Sequence, residues 1–167
     1  INCAHDAVHL GEDCKAHIDN AICTGSGQCV AVCQFDAARV QWSSEGDTLS
    51  RKIAEYAYAV VKDKPALHVN FIMDVSPDCD CWGHNDMPVV EDIGIAASVD
   101  PVALDRACAD MVMEAPAARH LREKDNGSDL RGVDKFRIAH SNTDWNTGLN
   151  HAEKIKLGSL SYKLIKI

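Results

Sequence analysis

The sequence predicts an α+β fold in two parts, because the first forty residues and the remainder of the chain have different patterns. Residues 1–42 are rich in cysteine and glycine, with short candidate strands at residues 7–10 and 39–42. Residues 48–167 instead combine helix-type and strand-type apolar periods, which is typical of a small α/β domain. With 167 residues, 46% of them apolar, the chain can bury a core for one domain beside a small module.

The second part opens with a predicted helix at residues 48–63 and a predicted strand at residues 67–75. Apolar residues recur in the helix at intervals of three and four, and Pro65 ends it. In the strand, apolar residues alternate with others, as they do when one face is buried. Residues 76–88, which contain two prolines and a glycine, are expected to form a loop.

A short buried strand is predicted after this loop, at residues 93–97. Asp100 is a typical N-cap residue and Pro101 suits the first position of a helix, so a helix is expected to begin there. Three further elements are predicted from periodicity and composition: a helix and loop at residues 116–134, a short helix at residues 150–157 and an edge strand at residues 162–167.

The charge of the chain excludes some classes of partner. Asp and Glu number 25 against 17 Lys and Arg, which gives a formal charge of −8. This balance disfavours binding to nucleic acid or to an anionic membrane surface. No apolar run approaches the roughly 18 residues that a membrane-spanning helix needs. We therefore expect neither a nucleic-acid partner nor a membrane partner.

Three cysteines in the first part have the spacing of a ferredoxin motif. Cys23, Cys29 and Cys33 fit the run C-x2-C-x2-C-x3-C-P, with which bacterial ferredoxins bind iron–sulfur clusters. Ser26 replaces the second cysteine of the run, and Gln34 replaces its proline. Glycines on both sides of position 26 let the backbone turn tightly around a cluster and direct N–H groups at its sulfur atoms. The pattern predicts a ferredoxin-like iron–sulfur half-module over residues 1–42.

A second segment repeats the end of this motif. The segments that begin at Cys3 and Cys33 both read Cys-x-x-Asp-Ala followed by an apolar residue, as each half of a two-cluster ferredoxin ends. Cys3 is therefore predicted to be the fourth cysteine of an earlier motif whose other cysteines precede residue 1. Because the fourth cysteine ligates the other cluster, Cys3 would join Cys23, Cys29 and position 26, while Cys33 would serve a second cluster. The missing N-terminal portion of the protein is then an expected partner.

The number of iron atoms held at this site stays open. A serine alkoxide forms much less readily than a thiolate, so Ser26 is a poor ligand at neutral pH. A 3Fe–4S cluster, or a 4Fe–4S cluster with one labile iron, fits as well as a complete 4Fe–4S site. The alternatives are a module without a cluster and a zinc site of three thiolates with His5 or His17. A disulfide scaffold is less favoured, since the cysteines are clustered.

A second group of candidate ligands follows the strand predicted at residues 67–75. The candidates for a metal site in the segment from Asp78 to Asp86 are Asp78, Cys79, Asp80, Cys81 and His84. In an extended backbone, Cys79 and Cys81 would lie on the same side. This loop could hold a second metal ion. The alternative is an acidic surface loop with a disulfide or buried thiols.

Four stretches of the chain resemble the DUF362 family of uncharacterised iron–sulfur centre proteins. They are residues 17–33, 54–81, 92–105 and 152–159, and the Pro-Asp-Cys-Asp-Cys sequence at 77–81 and the Asp-Pro-Val-Ala sequence at 100–103 are fairly specific. Family members look longer, with an N-terminal α/β portion and a pair of ferredoxin motifs. The resemblance therefore implies a C-terminal half, an iron–sulfur cofactor and a second part of DUF362 type, but no substrate.

These features favour electron transfer as the function. A cluster near Cys3, Cys23 and Cys29 would exchange single electrons with a redox partner protein in an oxygen-poor cytoplasm. One alternative is a redox or metal-dependent enzyme with its site at the Asp78–Asp86 loop. Another is a non-redox binding protein in which zinc, or an empty module, is only structural. Elsewhere, Cys14 is expected to be an exposed thiol, Cys108 to fill the core, and Asp134, Lys135 and Trp145 to be structural.

Overall fold

The computed structural model describes residues 3–35, 37–39, 46–79, 85–124, 127–141 and 143–167. The chain divides into two compact units, Ile1–Ser44 and Glu45–Ile167. Each unit combines helix with a two-stranded antiparallel sheet, which confirms the predicted α+β class. Within the described ranges, no helix is both long and apolar enough to cross a membrane.

The first unit consists of a hairpin followed by a short helix. Strand β1 (Val8–Leu10) pairs antiparallel with β2 (Ala16–Ile18). The turn between them is closed by the Gly11 N–H, which donates to the Lys15 carbonyl at 2.8 Å. Helix α1 (Gln28–Val32) follows a loop that contains the candidate ligands. The strand predicted at residues 39–42 lies outside the described residues except for Arg39.

The second unit combines helices with a second two-stranded sheet. Its elements are α2 (Gly46–Val61), β3 (His68–Ile72), β4 (Gly94–Ser98), α3 (Pro101–Glu114), α4 (Arg119–Lys124), α5 (Lys135–Ala139) and α6 (Trp145–Lys154). Strands β3 and β4 pair antiparallel, with His68 opposite Ser98 and Ile72 opposite Gly94. Helix α3 packs against both strands, and α2 packs against α6.

Two aliphatic clusters form the core of this unit. One contains Ile72, Val89, Val90 and Val112, and Phe136 packs against it. The other joins α2, α3 and α6 through Ala54, Val102 and Ala152. Val89 also donates its N–H to the Val75 carbonyl at 2.8 Å. The ends of the loop predicted at residues 76–88 are therefore both attached to the core.

Helix α3 begins as the sequence predicts. The Asp100 carboxylate accepts hydrogen bonds from the N–H groups of Val102 at 2.9 Å and Ala103 at 3.0 Å, and Pro101 occupies the first turn. The second carboxylate oxygen accepts the Ser159 N–H at 2.9 Å. Asp100 thus caps the helix and also holds the segment that follows α6.

The edge strand predicted at residues 162–167 is wrong, since these residues form no strand. In this segment, the Tyr162 hydroxyl donates a hydrogen bond to the Asp110 carboxylate of α3 at 2.9 Å. Of the helix predicted at residues 150–157, residues 150–154 belong to α6, which runs from Trp145 to Lys154, and residues 155–157 follow its end. Asp144 caps α6 by accepting the Asn146 N–H at 3.0 Å.

Candidate functional site

Cys3 lies in an environment that favours its thiolate. Backbone N–H groups of His5 and Ala7 hydrogen-bond its sulfur and lower the pKa of Cys3 below its ordinary value of 9.0. The residue is half-buried. Hydrogen bonds to the charged form stabilise it, and a thiolate is the form that binds a metal.

Cys33 also has a main-chain donor at its sulfur. It ends α1 as the C-cap residue, and its Sγ accepts the N–H of Ala37 at 3.2 Å. Main-chain N–H groups thus favour negative charge on the sulfur in both Cys-x-x-Asp-Ala segments.

The other candidate ligands of the first unit lie in the loop before α1 and in α1 itself. Cys23 is exposed and donates its N–H to the Asp19 carbonyl at 3.0 Å, whereas Cys29 is half-buried in α1. Ser26 lies between Gly25 and Gly27, whose φ angles are 73° and 72°. A Cβ on either glycine would meet no atom within 4 Å, so the left-handed backbone and not lack of space requires glycine.

Most candidate ligands of this unit are cysteines, the residues that hold iron–sulfur clusters in other proteins, but the described side chains do not converge on one ion. Throughout the described part of the chain, no group of three or more His, Cys, Asp or Glu side chains lies close enough to hold a metal ion. His17, one candidate for a zinc site, instead places its Nε2 3.0 Å from the Asp13 carboxylate. This hydrogen bond is the main cause that lowers the pKa of Asp13.

The loop at Asp78 is held closed by an asparagine that the sequence did not single out. The Asn85 side chain accepts the Asp78 N–H at 3.1 Å and donates to the Asp78 carbonyl at 2.9 Å and to Ser76 Oγ at 3.0 Å. Ser76 Oγ in turn donates to the same carbonyl at 3.0 Å. These bonds tie the two ends of the loop together.

His140 also contacts this loop, from the C-terminal end of α5. Its Nε2 lies 2.7 Å from the Pro77 carbonyl oxygen and 3.3 Å from Asp78 Oδ1. Cys79 is exposed. Asp80, Cys81 and His84 lie outside the described residues. Of the predicted metal ligands, the structure thus places Asp78 next to a histidine that is distant in sequence.

The residues expected to be structural are so placed. Lys135 is fully buried, and its Nζ donates to the carbonyls of Met113 at 2.7 Å and Leu130 at 2.8 Å. Burial lowers the pKa of Lys135 below its ordinary 10.5. The Trp145 Nε1 donates to Asp134 at 3.0 Å. Cys14 is exposed, and Cys108 packs against the core.

A family model described as a domain of unknown function, DUF362, matches residues 12–110, which is more than half of the chain. The chain belongs to the DUF362 family. No curated protein and no solved structure matches it. The DUF362 match contains the Cys23–Cys33 motif, the Asp78 loop and the Asp100 cap, whereas Cys3 and His140 lie outside it.

Proposed function

We propose that this DUF362 chain is an iron–sulfur protein that transfers electrons. Cys3, Cys23 and Cys29 would ligate one cluster, 4Fe–4S or 3Fe–4S, with Ser26 at the fourth position, and Cys33 would ligate a second cluster. Each cluster would accept one electron and pass it to a redox partner protein in the cytoplasm. The observation that carries the proposal is the main-chain environment of two cysteines: Ala37 donates its N–H to Cys33 Sγ at 3.2 Å, and N–H groups near Cys3 lower the pKa of that thiol.

These contacts matter because of how proteins tune such clusters. Hydrogen bonds to cluster sulfurs stabilise negative charge and are one of the factors that set the reduction potential. Main-chain N–H donors at a cysteine sulfur also favour the thiolate, the form that ligates iron. The environments of Cys3 and Cys33 therefore support ligand cysteines at both positions.

The small core of the first unit also supports a bound metal. Among its described residues, Ala7 is the one apolar residue that is buried. So small a core stabilises little by itself, and units of about this size usually depend on a metal or on disulfides. Cys3, Cys14, Cys23 and Cys29 form no disulfide. Binding a cluster would draw the ligand loop together and supply folding free energy.

The test is cluster reconstitution in single-cysteine variants of the full chain. After anaerobic loading with iron and sulfide, Cys23→Ser and Cys29→Ser should each lose most of the bound iron and visible absorption. Cys14→Ser is the matched control, since it removes an exposed cysteine of the same unit, and it should load like the wild type. Equal loading of all three variants, or a preference for zinc over iron in every one, would count against the proposal.

The second candidate function is a redox or metal-dependent enzyme with its site at the Asp78–Asp86 loop. It is favoured by Asn85, which closes the loop, and by the His140 ring beside Asp78. Carboxylates that ligate a metal are commonly hydrogen-bonded by a neighbouring residue, as Asp78 is placed to be by His140. The double variant Cys79→Ser, Cys81→Ser tests this idea: a second metal ion per chain should disappear, and unchanged metal content would remove the loop as a metal site.

A further inference from the structure

A cleft of about 290 Å³ lies within the second unit, between the first turn of α2, helix α5 and the start of the Asp78 loop. Val89, Phe136 and Trp145 give it an apolar wall, with the Phe136 and Trp145 ring centroids 6.0 Å apart and tilted by 59°. His140 and Thr143 are among its polar lining residues. Small-molecule sites have this character, with mostly apolar walls and a few placed polar groups.

His140 lines the cleft, and one of its two ring nitrogens already has protein partners. Its Nε2 faces two acceptors, the Pro77 carbonyl at 2.7 Å and Asp78 Oδ1 at 3.3 Å, so Nε2 carries the proton in the neutral ring. The lone pair then lies on Nδ1. Within the described ranges no protein group hydrogen-bonds that atom, which leaves it to receive a donor from a ligand.

The charges around the cleft disfavour an anion. Among the described lining residues, Lys135 is the one Lys or Arg, and its ammonium group donates to main-chain carbonyls, including that of Met113. Asp144 also lines the cleft, and Asp78 contacts His140. Within the described lining, an anionic ligand would therefore be near carboxylates, and the one ammonium group is already bound to carbonyls.

The volume limits the ligand to a small molecule. Pockets for drug-sized ligands span roughly 300–1,000 Å³. A cleft of about 290 Å³ is just below that range, which suits a molecule of one or two rings. Tilted aromatic side chains favour a flat ring that can contact one face or edge.

We propose that this cleft binds a small aromatic molecule that carries no negative charge and has one N–H or O–H donor, which His140 Nδ1 accepts. The ring would pack against Phe136 and Trp145. This site is separate from the electron-transfer proposal, because it uses no cysteine and needs no cluster.

The probe pair is indole and 1-methylindole, which differ at the single donor. Titrated into the isotope-labelled full chain, indole should shift the amide signals of α5 and the start of α6. We expect 1-methylindole to bind about 3- to 10-fold more weakly, as the loss of one hydrogen bond predicts. Equal affinity of the two probes, or no indole binding up to its solubility limit, would overturn the proposal. So would tighter binding of benzoate, since it carries the negative charge that the cleft disfavours.

Two variants locate the site. Ala139→Phe fills the cleft from α5 and should abolish indole binding, whereas Ala59→Phe, on an exposed position of α2, should leave it unchanged. Indole binding that survives in Ala139→Phe would place the site elsewhere and contradict the assignment. If Ala139→Phe does not fold, nuclear Overhauser effects between indole protons and the Phe136 and Trp145 rings in the wild type decide the location, and their absence contradicts it.

Discussion

Asp100 belongs to the Asp-Pro-Val-Ala sequence that resembles the DUF362 family, and its contacts give it a structural role. Both of its carboxylate oxygens are used, one to cap α3 and the other to hold Ser159. Gly158 approaches so closely that a Cβ at this position would overlap the carboxylate. The sequence predicted the cap, because Asp before Pro is a local signal. It did not predict the steric contact between Asp100 and Gly158, which are 58 positions apart in the sequence.

We predict that Gly158→Ala lowers the free energy of unfolding by about 1–3 kcal/mol, the usual cost of overpacking. The cause is the overlap of the new methyl group with the Asp100 side chain. In an Asp100→Ala background, which itself costs about 1 kcal/mol through loss of the cap, Gly158→Ala should therefore be nearly neutral. Urea unfolding of the four proteins measures this coupling, and an equal cost in both backgrounds would contradict the contact.

A second prediction concerns the reactivity of two cysteines. Hydrogen bonds from the N–H groups of His5 and Ala7 lower the pKa of Cys3, whereas burial raises the pKa of Cys108. Since the thiolate is the nucleophile, Cys3 in the metal-free protein should react with iodoacetamide faster than Cys108 near neutral pH. Peptide mass spectrometry after timed quenching measures both rates. Faster modification of Cys108 would contradict the lowered pKa of Cys3 and the raised pKa of Cys108.

At the scale of elements, apolar periodicity predicted the positions of helices and strands better than it predicted which faces are buried. Helix α2 and strands β3 and β4 lie within a few residues of their predicted positions. The prediction that the alternating apolar face of β3 is buried is wrong, since Val69 and Phe71 are exposed, and Ile95 of the predicted buried strand β4 is exposed as well. The closing segment forms no strand, and its Tyr162 hydroxyl donates to Asp110. A side-chain contact of this kind leaves no periodic signal in the sequence.

The docking of this segment gives a pH-dependent prediction. Burial, together with the hydrogen bond to Asp110, raises the pKa of Tyr162 above its ordinary 10.0. The unfolded chain therefore loses this proton at a lower pH than the folded chain. The stabilisation is fully present below about pH 10 and is lost as the pH rises through the folded-state pKa.

The measurement is a carbon-13 NMR titration of the Tyr162 ring in the wild type and in Asp110→Asn. Removal of the carboxylate removes negative charge beside the phenolate, so Tyr162 should ionise at a lower pH in the variant. An unchanged midpoint of the Tyr162 titration would show that Asp110 does not contact the closing segment in solution.

At the scale of the whole molecule, the two units depend on different interactions. The second unit has two aliphatic clusters, whereas the described residues of the first unit contribute Ala7 alone to the buried apolar set. Cysteine spacing predicted the candidate ligands of the first unit, because that signal is local. The roles of Asn85 and His140 were not predicted, because neither residue belongs to a motif. The partner of His140, the Pro77 carbonyl, is also 63 positions away in the sequence.

Removal of the metal should therefore affect the units unequally. If the cluster stabilises the first unit, its loss should speed hydrogen exchange at amides of β1, β2 and α1. Amides of α2, α3 and α6 should keep their protection, because their cores contain no cluster ligand. Hydrogen-exchange mass spectrometry of the loaded and chelator-treated full chain makes the comparison. Equal protection of the first unit in both states would contradict a structural role for the metal.

The most direct test of the central claim is electron paramagnetic resonance of the anaerobically reconstituted chain before and after reduction with dithionite. Electron transfer by a cluster at Cys3, Cys23 and Cys29 predicts a brown protein whose visible absorption bleaches on reduction. It also predicts either a three-iron signal in the oxidised state or a four-iron signal in the reduced state. A colourless protein that binds stoichiometric zinc and gives no signal in either state would contradict the account.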